Sequence, residues 1–142
     1  MSKNTAFDLP GYKSAIDGAA FRLLPNLGSL HLSGPDRVDF LQRQTTNDLD
    51  LLSPGRAPLT ALTSPTARIL DLLILYMEDE TVIGALTLPG NAALTAAYLQ
   101  SRIFFMDNVS VSDASTEFAQ IDLLGPESGC TMTDLGFSTL PE

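Results

Sequence analysis

The sequence predicts an α+β fold of mostly antiparallel strands with two to three helices. Three observations carry that prediction. Residues 58–88 hold three aliphatic and β-branched runs, separated by the turn signals Ser64-Pro65 and Glu78-Asp79-Glu80, which is the pattern of a three-stranded meander. Short apolar runs at 19–24, 27–32, 109–111 and 118–124 supply further strands. Two stretches, after Ser33-Gly34-Pro35-Asp36 and after Pro89-Gly90-Asn91, open with capping chemistry and continue at helical spacing.

In chain order, residues 1–18, with Pro10, Gly11 and Gly18, read as a loose entry with room for one short helical turn, and 19–142 as the folded region. Pro25-Asn26 lies between two apolar runs and suggests a hairpin or two linked strands. His31 sits between Leu30 and Leu32, so alternation turns it to the opposite face, as an exposed histidine with no carboxylate specified nearby. Ser33 is then expected to cap a helix, with Pro35 early and Asp36 in the first turn, where its charge opposes the helix dipole favourably. Val38, Phe40 and Leu41 supply that helix's buried side, and Asp39 and Arg43 stand i,i+4 on its surface. Thr45-Thr46-Asn47-Asp48 reads either as a terminator that satisfies its own backbone or as a polar corner facing a ligand.

Residues 64–76 read S-P-T-A-R-I-L-D-L-L-I-L-Y. Alternation sends Ile69, Asp71, Leu73 and Leu75 to one face and Leu70, Leu72, Ile74 and Tyr76 to the other. Both faces are oily, so a central strand covered on both sides is expected. A carboxylate between Leu70 and Leu72 is costly to bury unpaired. Asp71 is therefore expected near the strand's start, partly wet, with Arg68 or a backbone amide as partner; the competing reading is a ligand contact. In the second helix Leu94, Ala97, Tyr98 and Phe105 recur at helical spacing, with Tyr98 a core residue whose hydroxyl stays wet. Gly125-Pro126-Glu127 opens a last helical piece that stops near Gly136, with Cys130 as a small residue of its core.

Composition narrows the function. Of 142 residues, 17 are acidic and 8 basic, and the formal net charge of −9 argues against nucleic-acid phosphate or an anionic membrane as the main partner. Cys130 is the only cysteine and His31 the only histidine, which excludes an intramolecular disulfide and any multi-cysteine or multi-histidine metal site within this chain. The first ten residues lack an apolar core of signal-peptide length, and no run reaches the length of a membrane span, so the cytoplasm is the expected compartment. G-x-G-x-x-G, the P-loop, H-E-x-x-H, C-x-x-C and G-x-S-x-G are all absent. Motif chemistry alone stops at an α+β domain.

A resemblance goes further. Residues 30–42, L-H-L-S-G-P-D-R-V-D-F-L-Q, resemble the segment "h-x-h-x-G-x-D-R-h-x-F-L-Q" that opens the glycine-cleavage T-protein (aminomethyltransferase) family and its YgfZ-like folate-binding relatives. Gln44-Thr45-Thr46-Asn47-Asp48-Leu49 is similar to the YgfZ-like "Q-x-T-N-D-h", residues 62–76 resemble the family's hairpin, and Ile121-Asp122-Leu123-Leu124-Gly125-Pro126 resembles its "h-x-L-x-G-P" step. The order and spacing hold from about residue 19 to residue 136. The fold implied is the N-terminal part of a T-protein/YgfZ-like fold. Family members are more than twice as long, so a fragment or a naturally shortened relative is expected. It would hold part of a channel for tetrahydrofolate, the implied ligand.

The departures bear on activity. The transferase branch reads N-x-x-G-G-x-x-D-D at the hairpin, with the second aspartate serving the folate amine chemistry. On this sequence Ala67 and Arg68 stand at the glycines, Asp71 at the first aspartate and Leu72 at the second, and the family's ligand-contacting asparagine falls on Leu88. Adjacent strand residues face opposite ways, so Asp71 is not expected to take over from Leu72. No catalytic residue is assigned. The implied ligand contacts are Asp71, Tyr76, Leu27, Leu59 and Arg68, and the implied function is non-catalytic folate binding linked to iron–sulfur protein maintenance. The alternatives are aminomethyl transfer in glycine cleavage, and a self-associating homo-oligomeric module that covers an open side.

Overall fold

A computed structural model describes residues 10–137; the expected looseness of 1–9 lies outside the described residues. In chain order the elements are α1 (Pro10–Asp17), β1 (Ala20–Leu23), β2 (Ser29–Ser33), α2 (Arg37–Gln44), a 3-10 turn (Leu49–Leu51), β3 (Leu59–Thr63), β4 (Ile69–Met77), β5 (Val82–Leu86), α3 (Ala92–Ser101), β6 (Ser110–Asp113), β7 (Ile121–Leu124) and α4 (Ser128–Asp134). The class is α+β with antiparallel sheets, as the sequence predicts, with four α-helices among the described residues instead of two to three. The additional helix is α1, a full eight residues where one short turn was expected.

The chain divides into two compact units, 25–119 and a smaller one made of 1–24 with 120–142. In the smaller unit β1 pairs antiparallel with β7, and Arg22 stands opposite Asp122, its guanidinium 2.6 Å from the carboxylate. The expected hairpin across Pro25-Asn26 therefore does not form; β1 pairs with β7, while β2 lies between β5 and β6 in a different sheet. Within this unit Gly125 adopts φ +111 just before α4, and a side chain there would strike the carbonyls of Gly18 and Ala15, which explains the Gly-Pro step. Cys130 is exposed on α4 and not in a core, because that short helix buries none of its residues.

The larger unit carries the five-stranded sheet, in the order β3-β4-β5-β2-β6, all neighbours antiparallel. The predicted meander is β3-β4-β5. The inner face of the whole sheet, with Leu62, Leu73 and Leu75, Ile83 of β5 and Leu30 and Leu32 of β2 all essentially closed to solvent, packs with Phe40 and Leu41 of α2 and Leu99 of α3. Asp36 occupies the N-cap of α2 without a side-chain cap bond; its Oδ2 instead accepts the Asn108 N–H at 2.7 Å. The side-chain cap expected from Ser33 is thus not used. Arg43 binds Asp107 at 2.7 Å and not its i,i+4 neighbour Asp39.

In α3 the buried residues are Ala92, Thr95, Ala96 and Leu99, whereas Leu94 is 74% exposed and Phe105 lies beyond the helix at 96% exposed. The expected face is rotated away. The sequence A-A-L-T-A-A-Y-L-Q-S is apolar nearly all round, so its period carries little direction, and small residues are the ones that fit against β2 and β6. Tyr98 is half-buried, and its hydroxyl donates to the Thr63 carbonyl at 3.2 Å. Among the described residues no helix is long and apolar enough to cross a membrane.

Candidate functional site

β4 sets the chemistry of the meander, and three features of it differ from strict alternation. Leu62 pairs with Asp71 but Thr63 pairs with Ile69, so Leu70 is an extra, bulged residue. Leu70 consequently joins Leu62, Asn91, Leu94, Thr95 and Tyr98 around a small cavity of about 200 Å³. Only one face of the strand is closed: Asp71, Leu73 and Leu75 are buried, while Ile74 is 37% exposed and Leu72 and Tyr76 are half-buried. The strand is central in the meander but is not covered on both sides.

The turn before β4 explains one departure from the family pattern. Ala67 has φ +58, a left-handed conformation in which glycine is at ease and a Cβ is strained. The turn is held by Ser64, whose N–H donates to the Arg68 carbonyl and whose hydroxyl accepts the Arg68 N–H. This is one of the two positions where the resemblance expects glycine.

Asp71 is 1% exposed, not partly wet, and Arg68 is not its partner. Its Oδ1 accepts the backbone N–H groups of Leu72 at 2.9 Å and Leu88 at 3.1 Å, together with Asn91 Nδ2 at 3.3 Å. Its Oδ2 accepts the Thr95 hydroxyl at 2.5 Å. The carboxyl thus ties β4 to the chain after β5 and to α3. Its cost of burial is met by donors, as a buried polar group requires. The asparagine expected to cap α3 does so without its side chain, which is committed to Asp71.

The opposite, outer face is assembled by register. Leu59 stands across from Ile74, Ala61 from Leu72, Leu86 from Ile74, and Gly84 from both Tyr76 and His31. A side chain on Gly84 would collide with the Tyr76 ring, so the ring lies flat across that glycine. Leu59 is 57% exposed. Of the ligand contacts implied by resemblance, Tyr76 and Leu59 therefore share this open face. Asp71 lies behind the sheet, Arg68 is exposed in the turn before the strand, and Leu27 is half-buried just ahead of β2. Leu72, at the transferase aspartate's position, faces the open side.

Sequence reasoning missed the partner of His31. Its Nε2 lies 2.9 Å from Glu78 Oε2, and its ring meets Phe118 edge-on at 5.3 Å between centroids. Glu78 is 47 positions away along the chain, so only the β4-β5-β2 order brings the two together, and no local signal announces it. The side chains of Thr46, Asn47 and Asp48 act on backbone, as the terminator reading expects, although much of that backbone belongs to β3 and not to the cluster itself. Asn47 Nδ2 donates to the Leu59 carbonyl, Thr46 Oγ1 accepts the Ala61 N–H and Asp48 caps the 3-10 turn. Thr46, Asn47 and Asp48 also line an open cavity of about 640 Å³ with Leu51, Arg56 and Pro58.

Comparison with known proteins gives a consistent picture. A family model described as the GCVT N-terminal domain matches residues 24–139. An aminomethyltransferase of Chlorobium limicola is 28% identical over 121 residues, covering 85% of this chain and 33% of its own length. That of Bacillus subtilis is 28% identical over 110 residues, covering 78% and 30%. The crystal structure of glycine cleavage system aminomethyltransferase T from Bartonella henselae superposes with a TM-score of 0.76 at 25% identity, covering 92% of this chain and 35% of that one. The chain thus spans about a third of the length of these proteins.

Proposed function

Because the chain belongs to the GCVT N-terminal domain family, we propose that it supplies the N-terminal part of a tetrahydrofolate-binding site on the outer face of the β3-β4-β5 meander. The observation that carries this reading is the register of β4, which gathers Leu72, Ile74 and Tyr76 with Leu59 on one open, apolar and aromatic surface. Such a surface with few polar groups suits one side of a flat heterocycle. We propose further that binding occurs without transfer. Leu72 offers no proton acceptor on that face, and Asp71 is closed behind the sheet and fully engaged. With the Gln44 to Leu49 match, this favours the YgfZ-like, non-catalytic branch and its role in iron–sulfur protein maintenance. The cytoplasm is the compartment we propose, although an Arabidopsis thaliana relative bears a name that places it in the chloroplast.

Calorimetric titration with 5-formyltetrahydrofolate tests the binding claim. Saturable binding, weakened about tenfold or more by Tyr76→Ala, is expected. A flat titration contradicts it.

Aminomethyl transfer is the second reading, and the names of the relatives favour it more directly. It requires folate-dependent transfer from an aminomethyl-lipoyl carrier, lost in Asp71→Asn. Absence of transfer in the parent chain removes it. The same apolar face also suits a second copy of the chain; a monomer in sedimentation velocity removes self-association.

A further inference from the structure

The turn that follows α3 is firmly held, yet it carries three large apolar side chains into solvent. Phe104, Phe105 and Met106 are all more than half exposed, and Phe105 is 96% exposed. The Asp107 N–H donates to the Phe104 carbonyl at 2.9 Å, while the Asp107 carboxylate accepts the Phe104 N–H at 3.0 Å and the Arg43 guanidinium at 2.7 Å. Asp36 accepts the next N–H, that of Asn108. A contiguous apolar patch on an ordered turn marks a contact surface, and the fixed turn lowers the entropy lost on contact. At the other end of α3 lies the cavity of about 200 Å³ lined by the bulged Leu70. Its polar lining is already engaged: Asn91 and Thr95 bind Asp71, and the Tyr98 hydroxyl binds the Thr63 carbonyl. What remains for an occupant is the apolar surface of Leu62, Leu70, Leu94 and the Tyr98 ring. An apolar cavity of about 150 Å³ is enough to take a benzene ring.

We propose that this cavity is the socket for Phe105 of a second copy of the chain, in a twofold dimer formed along α3 that does not depend on the folate reading. Socket and ring stand at opposite ends of one helix: Leu94 and Tyr98 lie in its first two turns, and Phe105 lies four residues past Ser101. Antiparallel packing of α3 on its twofold mate therefore brings each phenyl ring to the other copy's cavity. The ten residues of α3 include no charged side chain to oppose that approach, and Ala93, Leu94 and Ala97 are exposed. Charges at the two ends are complementary. Arg68, exposed two residues before Leu70, and Asp39, exposed one helical turn from Arg43, have no ion-pair partner among the described residues. The same packing sets the Arg68 end of one copy against the Asp39 end of the other. Leu70, Leu94, Phe104, Phe105 and Met106 together expose about 600 Å² per copy, at roughly 170 Å² for each large apolar residue when fully open. That meets the lower bound of a specific interface, about 1,200 Å² in total, and implies a weak dimer. The contact is separate from the outer face of the meander, because α3 packs on the inner face of the sheet.

The test uses the whole 142-residue chain. Sedimentation velocity from about 10 μM to about 1 mM should show a monomer passing to a dimer and to no larger species. Phe105→Ser and Leu94→Lys, one on each side of the contact, should each weaken dimerisation about tenfold or more, and Arg68→Glu severalfold. All three residues are exposed, so the melting temperature of the monomer should not change. In a dimer mixed from isotope-labelled and unlabelled copies, the Phe105 ring of one copy should show NOEs to the Leu70 and Leu94 methyls of the other. A parent chain that stays monomeric throughout leaves the turn to a different protein or to a lipid surface and overturns the proposal. A dimer that keeps full affinity in Phe105→Ser overturns it as well, since the contact then lies on another face. So does growth beyond a dimer, because a ring and socket that do not close on a twofold propagate into fibres.

Discussion

Asp71 stands one position from where the family's transferase acid is expected, and its side chain is on the other side of the sheet. Its role is fastening. With Oδ1 serving Leu72, Leu88 and Asn91, and Oδ2 serving Thr95, the two substitutions that a catalytic role would treat alike should differ in stability. Asp71→Asn keeps the Oδ1 acceptor, and the Thr95 hydroxyl can turn to accept from the new amide, so a loss of about 1 kcal/mol is expected. Asp71→Ala strands all of these donors and should cost about 3 kcal/mol or more. Denaturant unfolding measures both; equal losses would contradict the fastening role. Ala67 offers a prediction of opposite sign. Its φ of +58 is strained for any residue with a Cβ, so Ala67→Gly should stabilise by up to about 1 kcal/mol in spite of the added freedom of the unfolded chain.

Among the elements, the strands of the meander were legible from turn residues and β-branched runs, since their pairing is local in sequence. The exposure of β4 was not, because an apolar strand reads the same whether its second face meets a helix layer or stays open. The bulge at Leu70 was hidden for a related reason: it shows only in the register with β3. α3 was placed along the chain but rotated, since a nearly all-apolar helix has no face to announce. Helix α2 is held at its C-terminal end by Arg43, which reaches the 104–107 loop through Asp107. The Phe104 N–H, followed by the Arg43 guanidinium, holds the Asp107 carboxyl below the usual aspartate range. A depressed carboxyl contributes stability above the free-aspartate value of about 3.9 and loses it as pH falls through the folded value. Asp107→Asn should therefore lower the melting temperature at neutral pH and match the parent well below that value. A difference that persists in acid would mean the ion pair and cap are not its source.

For the molecule as a whole, the family was legible because four short segments kept their order and spacing, although each is weak alone. The candidate face was legible only in part. Tyr76 and Leu59 were found through the resemblance, whereas His31 and Glu78 required the sheet order to bring them together. The outer face is the proposed ligand side, and the inner face is a closed core. Methyl-resolved NMR during titration with 5-formyltetrahydrofolate tests that division most directly. The prediction is that the methyl signals of Leu59, Leu72 and Ile74 shift with saturation while those of Leu73, Leu75 and Ile83 stay in place. Shifts confined to the inner-face methyls, or to the neighbourhood of Asp71, would contradict it.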